Sequence, residues 1–173
     1  FPVIDACLDL RERHAPPPER ITRVTVRGHS LMLERTDRPV IQNGRDAKVS
    51  LQHSVAVAFL RGAAGLQEYE DACVADPKVR ALAEKVIAVA DDAVPVESAY
   101  VTLETADGKF EHHIRHGRGT PGRPMSDAEL DTKVRGLVEF GSPFVAADQL
   151  IAALRRIEDE GDASKIIAMT VPS

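Results

Sequence analysis

Residues 46–62 read DAKVSLQHSVAVAFLRG, and this stretch decides how the rest of the chain is read. A polar cluster, Lys48, Ser50, Gln52 and His53, runs directly into a segment that is apolar almost all round. Leu51, Val55 and Phe59 recur at helical spacing, while Ala56, Val57, Ala58 and Leu60 leave little polar surface. A helix apolar on every side belongs in the middle of a core. Gly62 and Gly65 end it. Its N-terminus presents unsatisfied amides and partial positive charge, which attract anions and disfavour a protonated imidazole. His53 is therefore expected to be neutral near pH 7 and is the candidate catalytic base or donor. Lys48, Ser50 and Gln52 are the candidate substrate-binding residues. Ser50 also has the chemistry of a helix N-cap, and the two roles are compatible. The competing reading of His53 is a core histidine with its hydrogen bonds satisfied.

Working outward, residues 2–14 place Val3, Cys7 and Leu10 on one helical stripe, and Pro16, Pro17 and Pro18 stop it. Ile21–Val26 alternates as a strand, with Ser30–Leu33 as its short partner and residues 34–47 as an ordered loop. Leu66–Val74 reads as a short amphipathic helix, and Asp76-Pro77 as the cap and first position of another, striped by Val79, Leu82 and Val86. Val86–Val89 is a strand. Ala99–Thr105 and Lys109–His116 flank Asp107-Gly108 as a hairpin with a positive-φ turn. Ser126 and Glu129 form a capping box, with Met125 and Leu130 as the staple, opening a helix striped by Leu130, Val134, Leu137 and Val138. A last helix over Val145–Glu158 is expected to bury Leu150, Leu154 and Ile157. Helices alternating with antiparallel strands imply an α+β fold, a two-layer sandwich with helices packed mainly on one face of an antiparallel sheet.

The 173 residues are read as a single domain, 43% apolar and without low-complexity segments. A net charge of −5 with scattered basic residues argues against nucleic acid, and no apolar run approaches membrane-spanning length. Cys7 and Cys73 sit among apolar residues and read as buried free thiols, which makes cytoplasm the expected compartment. In His112-His113-x-x-His116, strand alternation sends His113 to the opposite face from His112 and His116, so no metal site is expected. Gly117-Arg118-Gly119-Thr120-Pro121-Gly122 matches a dinucleotide fingerprint by letter only, because Pro121 and Pro124 separate it from the next helix. Asp91-Asp92 reads as a solvated turn.

Asp46–Gly62, DPKVRALAEKV (76–86), AYVTLETADGKF (99–110) and RPMSDAELDTKV (123–134), in this order, resemble the C-terminal domain of the MmgE/PrpD family. The similarity runs from Ile4-Asp5-Ala6 to the capped helix after Met125. That family includes 2-methylcitrate dehydratases and cis-aconitate decarboxylases. The resemblance implies the C-terminal lid domain of a cofactor-independent lyase or isomerase that removes a proton alpha to a carboxylate of a small di- or tricarboxylate. It also implies an N-terminal helical domain, absent from this chain, and a homodimer of the full-length protein. In the decarboxylase branch a tyrosine faces the substrate where this chain has His53, a departure that changes the acidity of the group greatly. Without that helical domain ahead of Phe1, the expectation changes to a stand-alone, non-catalytic ligand-binding or interaction domain of the same fold.

Overall fold

The computed structural model describes residues 1–172 and divides into two compact units, Phe1–Pro124 and Met125–Ser173. The first unit is α+β. Its helices are α1 (Pro2–His14), α2 (Ser30–Thr36), α3 (Gly44–Ala47), α4 (Leu51–Arg61), α5 (Asp71–Ala75) and α6 (Pro77–Ala83). Strands β1 (Ile21–Gly28), β2 (Val86–Ala90), β3 (Ala99–Thr105) and β4 (Gly108–Ile114) form one sheet in the order β2-β1-β3-β4. β1–β3 and β3–β4 are antiparallel, but β1 and β2 run parallel, so the sheet is mixed rather than antiparallel. The helical crossover between β1 and β2 is long enough to bring the chain back in the same direction.

Alternation along the strands decides which side is covered. Val24 and Val26 of β1, and Val101 and Leu103 of β3, are fully buried against the helices. Arg27, Tyr100 and His113, in register across three strands, belong to the opposite face. α4 is the centre of the core: Leu51, Val55, Ala56, Val57 and Ala58 are all fully buried, as are Val3, Ala6 and Cys7 of α1. Both ends of α4 are closed. The Ser50 side chain accepts from the His53 amide, and Gly62 adopts φ 70° while its N–H returns to the Ala58 carbonyl. A Cβ at Gly62 would lie 2.7 Å from the Arg11 guanidinium, which itself anchors to the Phe59 carbonyl, so glycine meets both a conformational and a steric demand there.

Several boundaries depart from the sequence pattern. Ser30–Leu33 is not a strand but the first half of α2, whose N-terminus is capped by the His29 ring accepting from the Leu31 amide. Leu, Met, Glu and Arg are good helix formers, and that preference overrides the short alternation. The segment expected as a loop over 34–47 contains the end of α2 and all of α3, capped by Asn43. Leu66–Val74 is broken into a 3-10 turn (Gln67–Tyr69) and α5. The hairpin closes one residue earlier than expected, at Ala106-Asp107, because Thr105 pairs with Gly108, and neither turn residue has positive φ.

The second unit holds α7 (Asp127–Gly141), α8 (Ala147–Leu154) and α9 (Ser164–Ala168). The capping box at Ser126 and Glu129 is formed in both directions. Val145, Leu150 and Ile166 make a small core, whereas Leu154 and Ile157, expected to be buried, are 42% and 49% exposed. The helix expected over Val145–Glu158 ends at Leu154 and is followed by a 3-10 turn, which rotates Ile157 out of the stripe. Among the described residues no helix is long and apolar enough to cross a membrane.

Candidate functional site at the start of helix α4

The first turn of α4 is a polar hub set into the core. Ser50, Gln52, His53 and Ser54 are all buried, and each ties a flanking loop to the helix. Ser50 Oγ donates to the Arg38 carbonyl at 2.7 Å. Gln52 Oε1 accepts from the Arg38 amide at 3.2 Å, and its Nε2 donates to Asp37 at 2.5 Å. Together these bonds hold residues 37–38 against the helix. On the other side, His53 Nε2 lies 2.7 Å from the Glu68 carbonyl. A carbonyl only accepts, so Nε2 carries the proton and Nδ1 is the basic nitrogen. Ser54 donates to the Ser50 carbonyl and therefore accepts from the Tyr69 hydroxyl, 2.9 Å away.

Burial lowers the His53 pKa, opposed in part by the bond to Glu68, and so favours the neutral ring. Burial likewise raises that of Tyr69, whose ring is tilted against His53 with centroids 5.5 Å apart. A neutral imidazole held in one tautomer, one nitrogen committed and the other basic, has the form of a general base.

His53 and Gln52 line a cleft of about 440 Å³. One wall is the segment Pro39–Gln42, and the other comes from Val74 of α5 and from Val79, Arg80, Ala83 and Glu84 around α6. Lys48 is exposed and lines a separate shallow depression with Arg45 and Tyr69. Of the four residues singled out in the sequence, the structure thus brings His53 and Gln52 to one cleft and Ser50 to the bonds beneath it. It sets Lys48 apart. Arg80 was not legible as a site residue. Its one signal is that it follows Val79, which points into the core, and so must lie at that helix's margin. Its Nε donates to the Val74 carbonyl at 2.9 Å.

Gly44 couples this hub to the fold. Its amide donates to Asp71 at 2.7 Å, and a Cβ there would meet the Tyr69 carbonyl oxygen at 2.1 Å. Gly44→Ala is expected to cost about 1–3 kcal/mol by overpacking. Because it displaces the segment that accepts from His53, it should also shift the His53 ring resonances. Denaturant unfolding with a histidine NMR spectrum checks both.

The three histidines of the 112–116 run diverge. His112 Nε2 pairs with Asp9 of α1 at 2.9 Å. His113, on the other face, bonds Ser98 at 2.8 Å and stacks on Tyr100 with ring centroids 3.9 Å apart. His116 Nδ1 lies 3.5 Å from Glu97. Among the described residues no three His, Cys, Asp or Glu side chains are placed to hold a metal. Asp91 and Asp92 are partnered rather than merely solvated, with Arg27 at 2.7 Å and the Ser30 amide at 3.2 Å. Asp5 accepts from the Arg118 amide at 2.6 Å, which fastens the glycine-rich loop to α1. Both cysteines are buried and free, and burial drives the Cys7 thiol far out of its reactive range.

No curated protein matches the chain. The family model for the MmgE/PrpD C-terminal domain matches residues 1–159, spanning all four strands and the hub at α4. The chain therefore belongs to the MmgE/PrpD family, as its C-terminal domain.

Proposed function

We propose that this domain forms one wall of the active site of a cofactor-independent, 2-methylcitrate dehydratase-like lyase or isomerase, acting on a small di- or tricarboxylate in the cytoplasm. The observation that carries this reading is His53, which borders an open cleft in neutral form with Nδ1 as its basic nitrogen. Proton removal alpha to a carboxylate needs such a base, and a nearby cation to stabilise the developing enolate-like charge. Arg80 lines the same cleft and supplies that cation. Ser50 and Gln52 enter the reading as supports for the cleft wall, since their polar atoms bond residues 37–38. Lys48, exposed on the neighbouring surface, can meet a carboxylate outside the cleft. The partners in this reading are the substrate, the helical domain of the same enzyme and a second copy of it.

One observation favours a second reading, a non-catalytic binding module of the same fold. Ser50, Gln52 and His53 are each hydrogen-bonded to protein, as purely structural residues would be. The test is an assay of the enzyme that contains this domain against a panel of small polycarboxylates. The expected result is turnover that persists after exhaustive chelation and without added cofactor. Absence of turnover across the panel favours the binding module, and a requirement for metal rejects the proposed chemistry.

A further inference from the structure

The tautomer of His53 rests on one backbone carbonyl, that of Glu68. Nδ1 makes no bond to protein, and among the described residues no fully buried side-chain nitrogen or oxygen lacks a partner. Nδ1 is therefore open to the cleft that the ring lines. Glu68 lies in the 3-10 turn Gln67–Tyr69, closed by two long backbone bonds of 3.2 and 3.3 Å. One such turn does not hold its own geometry. The Glu68 carboxylate accepts from the Gly65 amide at 2.8 Å, a bond local to the same loop. The side-chain tie from the turn to α4 is made by the next residue, Tyr69, whose hydroxyl lies 2.9 Å from Ser54 Oγ. Ser54 follows His53 directly and commits its own proton to the Ser50 carbonyl, so the Tyr69 hydroxyl is the donor. The Tyr69 ring also packs against the imidazole, centroids 5.5 Å apart.

We infer that Tyr69 is a positioning residue for His53: its hydroxyl, bonded to Ser54, holds the 67–69 turn so that the Glu68 carbonyl keeps the ring proton on Nε2 and leaves the Nδ1 lone pair to the cleft. The inference rests on the proposed function for what that lone pair does, whereas the tautomer is a property of this chain that can be measured without turnover. A neutral imidazole has two tautomers, and only the one with its proton on Nε2 presents a base at Nδ1. An ordinary hydrogen bond favours the form that makes it about fivefold. A Glu68 carbonyl that drifts from Nε2 gives up that preference, and the proton then competes for Nδ1.

The test reads the ring directly. The 173-residue chain with ¹⁵N-labelled histidine is studied at about pH 8, where an imidazole of lowered pKa is neutral. The His53 signals are assigned by their absence in His53→Gln. Long-range ¹H–¹⁵N spectra should show the proton on Nε2, exchanging slowly with water. Tyr69→Phe keeps the ring and removes the hydroxyl. It should lower the ratio of the Nε2–H to the Nδ1–H form about fivefold and speed exchange of the ring proton by a similar factor. Ser54→Ala removes the acceptor of the same bond, so it should act alike, and the double variant should add little to either change. Val101→Ala on β3, which opens the core without touching the turn, should lower stability and leave the tautomer ratio unchanged. A proton found on Nδ1 in the unchanged chain would overturn the inference. So would a ratio unaltered by Tyr69→Phe or by Ser54→Ala, or one altered equally by Val101→Ala. A chain that turns over no polycarboxylate but passes this test would count against the proposed reaction alone.

Discussion

His53→Ala is expected to lower kcat by about 10²–10⁴-fold in the enzyme that contains this domain, the usual scale for a general acid–base group. It should also destabilise the fold, because His53 is 1% exposed and its loss strands the Glu68 carbonyl without a donor. An unpaired buried acceptor costs about 1–3 kcal/mol. Stability alone therefore does not separate a catalytic from a structural histidine. His53→Gln does: a side-chain amide can still donate to Glu68, so stability should largely return while kcat stays low. His53→Tyr restores the group found in the decarboxylase branch and should keep more activity than alanine or change the product. The pH dependence gives a second readout. A native-state pKa below the unfolded value of about 6.5 means that the unfolded chain binds more protons in acid. The contribution of His53 to stability is thus complete above that value and is lost as pH falls through and below it. The alanine variant should lack this acid loss. A His53→Ala enzyme with full kcat would refute the catalytic assignment.

The parts of the fold that were legible in the sequence are those in which local and tertiary signals agree. α1 ends where three prolines begin, and α4 starts at a serine cap and stops at a glycine with positive φ, so both helices keep the limits the sequence implies. Strand alternation accounts for His112 and His113, which face opposite ways on β4, but not for His116, which lies beyond the strand's end at Ile114 although the sequence pattern carried the strand to it. What stayed hidden depends on partners far along the chain. The cap of α2 is a histidine, a residue type that does not announce a helix start. The parallel pairing of β1 and β2 is decided by a crossover through five helices, which no local pattern records. At the site, residue chemistry identified Ser50, Gln52 and His53 as a group, but not the direction of their bonds. Polar side chains at a helix start look alike as sequence whether they meet a ligand or a neighbouring loop. Here the loops 37–38 and 68–69 take those bonds, and the cation in the cleft comes from α6 instead of Lys48.

The same limit applies to apolar stripes, and one pair of substitutions exposes it. Leu51 and Leu137 both sit in helical stripes that read alike in the sequence. Leu51 is fully buried at the centre of the larger core, in contact with the layer of helices on the sheet. Leu137 is 45% exposed on α7, a helix with no buried residue, beside Leu130 at 44% and Phe140 at 39%. Leu51→Ala removes a side chain from a packed interior that relaxes only in part, and should cost about 2–5 kcal/mol. Leu137→Ala gives up surface that water already reaches, and should change stability by about 0.5 kcal/mol or less. Because the chain has two compact units, each variant is best followed by hydrogen exchange of amides in its own unit, α4 for Leu51 and α7 for Leu137. Comparable costs at the two positions would mean that α7 packs its stripe in solution. That outcome would remove the distinction between a stripe buried by tertiary contact and one that is merely amphipathic, on which the burial pattern of the second unit depends.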